Sequence, residues 1–271
     1  MEAASTLVHF AHATGFNAQT YRDLLAPLAE SLRVVASDAR GHGFTRLLAT
    51  AGMAVGWTVF RDDLIATLER LAPEGAILAG HSMGATASLM VAAERPELVQ
   101  ALVLIEPVFV PKGYAPGASE MSERAAKRRD RFPSREAAFA AYRGRGAFKT
   151  WPDETVRAYL EGGLVAAEDG DGVRLACRPD WEAQIFRAAP PGKSELAAMV
   201  RCPVTLIHGE GEGSTASGNE VAIFRELCPA ARIVAQQGAS HFLPMEFPQI
   251  VRDEILKTRN AYPAGPGSLP A

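Results

Sequence analysis

Ser82 lies in Gly80-His81-Ser82-Met83-Gly84, between the apolar run Ala76-Ile77-Leu78-Ala79 and the alanine-rich, helix-forming segment Ala85 to Glu94. A serine on a sharp strand-to-helix turn presents its hydroxyl above a sheet, and the crowded turn admits almost no side chain two positions before or after it. Gly80 and Gly84 meet that demand. A serine hydroxyl is a poor nucleophile at neutral pH, so the chemistry requires a general base and a group that orients the base. Of the six histidines, His9 lies in a strand pattern and His208 ends one. His42 sits in the Arg40-Gly41-His42-Gly43 turn, His12 follows the first strand, and His81 flanks the serine and is expected to point away. His241, in Gly238-Ala239-Ser240-His241-Phe242 after the last core strand, remains as the base.

Two carboxylates satisfy the chain order serine, acid, histidine. Glu106 follows Ala101-Leu102-Val103-Leu104-Ile105 at the carboxyl end of a strand, the edge where open parallel sheets build their sites. Glu212 lies on the loop Gly209-Glu210-Gly211-Glu212-Gly213. The orienting acid must be rigid, which favours Glu106 and leaves Glu212 as the alternative. A developing oxyanion also needs donors. The Met83 amide supplies one, and the loop His12-Ala13-Thr14-Gly15-Phe16 is the source of the second.

These residues need a frame, and the hydropathy pattern describes one. Strand-like runs at Leu7 to Ala11, Leu32 to Ser37, Ala76 to Ala79 and Ala101 to Ile105 alternate with helical patterns, the signature of a mostly parallel sheet flanked by crossover helices. Tyr21, Leu24, Leu25 and Leu28 share one helix face, as do Trp57, Phe60, Leu64, Leu68 and Leu71. The rhythm fails between Pro107 and about Val200 and resumes with strands at Val204 to His208 and Arg232 to Ala235 around a helix at Glu220 to Leu227. The expected organisation is a core of residues 1–107 and 201–262, an inserted helical cap at 108–200, and a disordered proline- and glycine-rich tail at 263–271.

Composition narrows the partners. The 271 residues are 48% hydrophobic and carry a formal net charge of -3, which gives no drive toward nucleic acid. Charge is uneven: residues 112–149 hold ten Lys or Arg against four Asp or Glu. Cys177, Cys202 and Cys228 have no metal-ligand spacing, no N-terminal leader is evident, and no run is long enough to span a membrane. A cytoplasmic enzyme without metal or cofactor is expected, with its oligomeric state open.

Taken together, these motifs resemble the α/β-hydrolase superfamily over nearly the whole chain, and most closely its lid-bearing serine esterases and acyl hydrolases. His12 to Phe16 looks like the family's HG-type oxyanion loop, Asp38-Ala39-Arg40-Gly41-His42-Gly43 like its D-x-RGHG turn, Gly80 to Gly84 like its elbow, and Ser240-His241-Phe242-Leu243-Pro244-Met245-Glu246 like its histidine loop. The resemblance implies an α/β-hydrolase fold and a triad of Ser82, His241 and a carboxylate. The family's usual acid position aligns with Glu212, whereas one branch carries its acid where Glu106 stands. Ala13 replaces the usual glycine of the oxyanion loop, and motif position assigns the second amide to Thr14. Relatives with an aspartate nucleophile are disfavoured by Ser82.

The insertion carries Phe132, Phe139, Tyr142, Phe148, Trp151, Tyr159, Trp181 and Phe186, enough aromatic surface to line an apolar pocket. Phe16, Phe148 and Trp151 are the expected substrate contacts. Arg124, Lys127, Arg128, Arg129 and Arg131 form a basic cluster that reads first as a solvated helix face and second as an anion site. The leading reading is hydrolysis of a carboxylic ester or thioester of a small molecule with an apolar or aromatic acyl group. The alternatives are cleavage of a carbon–carbon bond in a diketone by the same triad, and a non-catalytic ligand-binding protein.

Overall fold

An apolar run without polar alternation is what a strand covered on both faces requires. Ala76 to His81 and Ala101 to Ile105 are buried throughout. In the computed structural model, which describes residues 6–50, 52–115, 117–216 and 218–261, these runs lie at the centre of a six-stranded sheet. Its strands are β1 (Leu7–Ala11), β2 (Arg33–Ser37), β3 (Ala76–His81), β4 (Val99–Ile105), β8 (Val204–Gly209) and β9 (Arg232–Gln236), in the order β2-β1-β3-β4-β8-β9. Every neighbouring pair in this sheet is parallel.

The period-2 alternation of side chains sends two sets of residues to opposite faces. Val8, Phe10, Ile77, Ala79, Val103, Ile105 and Ile207 face one core, with Val251 and Ile255 packed against them. Leu7, Leu78, Leu102, Leu104 and Leu206 face the other, with Leu64, Leu68, Leu89 and Phe224. The covering helices are α1 (Arg22–Leu25), α2 (Thr58–Leu71), α3 (Met83–Glu94), α8 (Asn219–Leu227), α9 (Leu243–Glu246) and α10 (Pro248–Ala261). Tyr21, Leu24, Leu25 and Leu28 are buried as their spacing predicts. Their helix, however, is a single α turn between two 3-10 segments, the second of which begins at Ala26-Pro27, where proline offers no backbone donor.

Between β4 and β8 the chain forms α4 (Glu120–Ala126), α5 (Arg135–Tyr142), α6 (Asp153–Gly163) and α7 (Pro179–Arg187). It also forms an antiparallel sheet, β5 (Arg131–Phe132), β6 (Leu164–Ala166) and β7 (Val173–Leu175), in the order β5-β7-β6. Strands of two or three residues are too short to display a period, so the sequence pattern does not disclose this sheet. The insertion is fastened to the sheet domain at several points. Asn17 Nδ2 donates to the Tyr159 carbonyl (2.9 Å), Trp181 Nε1 to the Arg40 carbonyl (3.0 Å), and Trp57 Nε1 to the Ile185 carbonyl (2.9 Å). Among the described residues, no helix is long and apolar enough to cross a membrane. The tail expected at 263–271 lies outside the described residues.

Helix and sheet approach each other closely at the elbow. A Cβ on Gly80 would stand 2.6 Å from the Gly84 carbonyl carbon and oxygen, and one on Gly84 would collide with the Ala11 carbonyl oxygen of β1. Backbone cannot swing aside as a side chain can. Gly84→Ala is therefore expected to destabilise the protein by about 2 kcal/mol or more in urea unfolding. Gly117→Ala, where a Cβ would meet nothing within 4 Å, should shift stability by no more than about 0.5 kcal/mol.

Candidate active site

β3 ends at His81, and the chain turns at Ser82 with φ 57° and ψ −119° before α3 begins at Met83. Serine at a helix N-cap ordinarily turns its hydroxyl back on the first-turn amides. Ser82 makes no such bond; its Oγ lies 3.0 Å from His241 Nε2. The register of the sheet fixes what stands beside it. His81 pairs with Ile105, so Ser82 and Glu106 leave adjacent strands at the same level, anchored by Ser82 N to the Ile105 carbonyl (3.0 Å) and Glu106 N to the Ile207 carbonyl (2.9 Å).

Glu106 is fully buried and held at φ 46°, a left-handed conformation that glutamate adopts only under constraint from its surroundings. Its Oε1 accepts from Gly209 N (2.6 Å) and Ser214 Oγ (2.8 Å), and its Oε2 from Thr215 N (2.8 Å) and His241 Nδ1 (3.1 Å). Burial alone would raise the carboxyl. The His241 bond and the backbone donors outweigh it and hold the group at about 2, below the ordinary 4.5.

An ionised carboxylate only accepts, so His241 Nδ1 carries the proton and Nε2 is left to accept from Ser82. Thr215 Oγ1 lies 2.7 Å from His241 Nδ1 and 3.3 Å from Glu106 Oε2, so it can share the Nδ1 proton while giving its own to the carboxylate. This set can move a proton from Ser82 to His241 while Glu106 keeps the imidazole oriented. Ser214 and Thr215 carry no signal in the sequence beyond following the Gly-rich loop. Glu212, the alternative acid, is exposed and has no hydrogen bond to His241 among the described residues.

Met83 opens α3, where first-turn amides have no intrahelical partner. The Ala13 amide is committed to the Tyr21 hydroxyl (3.1 Å) and the Gly15 amide to His42 Nε2 (3.1 Å), whereas the Thr14 amide has no partner among the described residues. The expectation that His81 points away from the reacting groups needs correcting. Its Nε2 donates to the His241 carbonyl (2.8 Å), and its Nδ1 accepts from the Tyr21 hydroxyl (2.7 Å). One buried chain thus runs from Ala13 through Tyr21 and His81 to the backbone of His241. Burial, reinforced by His241, lowers the His81 imidazole to about 3 and keeps it neutral. Glu246 steadies the same loop by accepting from Ser240 N and Ser240 Oγ, both at 2.8 Å, and it receives Thr150 of the insertion (2.7 Å).

Ser82 is only 6% exposed. Phe16 packs toward His81 (6.2 Å between ring centroids), Trp151 (5.2 Å) and Phe242 (6.2 Å), and Phe242 toward His241 (5.9 Å). Phe148 sits one layer back, against Trp151 (4.8 Å) and Tyr159 (5.0 Å). Phe242 and Tyr159 thus join Phe16 and Trp151 in the aromatic group. Of the basic cluster, Arg128 is partly buried and Arg124, Lys127, Arg129 and Arg131 are exposed. Arg128 pairs with Glu182 (3.0 Å), Arg131 with Asp169 (2.6 Å), and Arg129 lies over the Phe132 ring.

The Glu106 environment has a measurable consequence. A carboxyl depressed on folding stabilises fully above its unfolded pKa and loses that contribution as pH falls through its folded value, here between pH about 4.5 and about 2. Urea unfolding from pH 5 to 2 should show wild type losing about 3 kcal/mol more than Glu106→Gln. Parallel curves would show that Glu106 is not held low.

Comparison with known proteins agrees with this architecture. The chain matches the alpha/beta hydrolase family over residues 10–254. It is 26% identical over 254 residues to 2-(acetamidomethylene)succinate hydrolase of Mesorhizobium japonicum, covering 94% of this chain and 88% of that protein. A crystal structure of E-2-(acetamidomethylene)succinate hydrolase superposes with a TM-score of 0.79 at 25% identity, over 95% of this chain and 92% of the other. The thioesterase domain from the curacin biosynthetic pathway gives a TM-score of 0.72 at 20% identity, over 93% and 91%, a likeness of fold alone. The chain belongs to the alpha/beta hydrolase family.

Proposed function

We propose that this protein is a serine hydrolase that cleaves a carboxylic ester or thioester of a small molecule through an acyl-enzyme on Ser82. The observation that carries the proposal is the hydrogen-bonded relay from Ser82 Oγ to His241 Nε2 and from His241 Nδ1 to Glu106. His241 takes the Ser82 proton as Oγ attacks the carbonyl and returns it to the leaving group. Water, deprotonated by the same imidazole, then resolves the acyl-enzyme. Glu106 holds the imidazole and stabilises its charged form without taking the proton. The amides of Met83 and Thr14 receive the oxyanion, a task for which a donor already in place contributes without reorganising.

Residues 108–200 act as a lid over Ser82, and Phe16 and Trp151 with Phe148 behind them form an apolar wall for the acyl group. The arrangement needs no metal or cofactor. Because Arg128 is committed to Glu182 and the exposed Arg124, Lys127, Arg129 and Arg131 read as a solvated face, uncharged esters are preferred over acyl-CoAs of equal chain length.

The test is a panel of p-nitrophenyl esters, acyl-CoAs and 2-(acetamidomethylene)succinate, run on wild type, Ser82→Ala, Glu106→Gln and Glu212→Gln. Ser82→Ala should abolish turnover and fluorophosphonate labelling. Glu106→Gln should lower kcat about 10³- to 10⁴-fold by imposing the wrong imidazole tautomer, and Glu212→Gln should stay within about twofold of wild type. Turnover that survives Ser82→Ala would defeat the mechanism. A larger loss in Glu212→Gln than in Glu106→Gln would reassign the acid.

A further inference from the structure

Trp151 is 6% exposed, and its indole Nε1–H has no hydrogen-bond partner among the described residues. A buried donor without an acceptor forfeits its hydration and gains nothing in return, so each such group in a native structure calls for a cause. Tyr159 shows a related deficit. Arg128 uses Nη1 on both Glu182 oxygens (3.0 and 3.2 Å) and Nη2 on the hydroxyls of Tyr142 (3.3 Å) and Tyr159. The Tyr159 oxygen therefore accepts from a guanidinium, which polarises its O–H, yet no described residue accepts that proton. The side chain is 1% exposed.

The two rings that carry these donors are neighbours and share a partner. The Trp151 and Tyr159 rings lie 6.2 Å apart, and both stand edge-on to Phe16, at 5.2 and 5.9 Å. Phe16 closes the loop that holds the Thr14 amide, and Trp151 also meets Phe242, the residue after His241, at 5.7 Å. A wall that is otherwise apolar thus carries two protons in search of an oxygen, beside both loops that serve Ser82. Arg128, balanced by Glu182, strengthens one of these donors without adding net charge.

We propose that Trp151 Nε1–H and Tyr159 O–H form a subsite for an oxygen acceptor on the substrate, a carboxylate or ketone oxygen remote from the scissile carbonyl. The proposal rests on Ser82 being the nucleophile. It deepens that reading, because a site built to donate hydrogen bonds rejects an isosteric substrate lacking the acceptor far more strongly than an apolar wall distinguishes one methylene.

The experiment compares kcat/KM for p-nitrophenyl pentanoate, 4-oxopentanoate and hemisuccinate, and for acetate esters with the same oxygens in the alcohol portion. Each is run on wild type, Trp151→Phe, Tyr159→Phe and Ser82→Ala. Wild type should prefer an oxygenated ester over its plain partner by about tenfold or more, and each Phe variant should cut that ratio about fivefold while still labelling with fluorophosphonate. The ketone and carboxylate arms identify which acceptor the subsite takes. If Trp151→Phe does not fold, Tyr159→Phe reads the same ratio. Equal ratios in wild type and both variants, or no preference in either series, would overturn the subsite and leave the indole N–H resting against a ring face. Turnover that persists in Ser82→Ala would instead bring down the nucleophile, so the two failures are distinguishable.

Discussion

A carboxylate with no exposure to water is affordable only where fixed donors surround it, and Glu106 dictates much of the structure for that reason. Its donors come from separate parts of the chain: Gly209 at the end of β8, Ser214 and Thr215 on the following loop, and His241 beyond β9. Meeting that requirement brings the carboxyl ends of β4 and β8 and the histidine loop to one point. Remove any of them and the carboxylate is left short of partners. The low pKa of Glu106 and the tautomer of His241 are two readings of this single arrangement.

Backbone strain and sheet register cooperate at the same place. Ser82 and Glu106 both take positive φ, and both directly follow residues paired in the β3–β4 register. Two strained residues side by side at a sheet edge are stable only because the strands behind them are fully buried and parallel-paired. The rigidity of the sheet is thereby transferred to the distance between a hydroxyl and a carboxylate, which His241 then spans.

What could be read from the sequence follows from how local each signal is. The Ser82 elbow was legible because strand, glycines and helix lie within twenty residues, and the six core strands because each displays its apolar run by itself. The choice between Glu106 and Glu212 turns on burial and on donors more than a hundred positions away, which no local pattern displays. Tyr21 registered only as one member of an apolar helix face, yet its hydroxyl is the link between Ala13 and His81. A spacing pattern reports which face a residue occupies and says nothing about what its polar tip reaches. Thr215 was invisible for the same reason.

The neutral histidines explain how a polar network can lie under an apolar core without changing its charge. His81 must donate through Nε2 to the His241 carbonyl and accept through Nδ1 from Tyr21, which only the neutral ring can do. Burial supplies that neutrality by lowering its pKa to about 3, and His42, also lowered to about 3 chiefly by burial, accepts from the Gly15 amide on the same terms. Both rings act as fixed hydrogen-bond spacers across the pH range in which an ordinary histidine changes charge. Their constancy leaves the Ala13 amide engaged and the Thr14 amide without a partner among the described residues, so the composition of the proposed oxyanion site is decided by two buried imidazoles and a tyrosine.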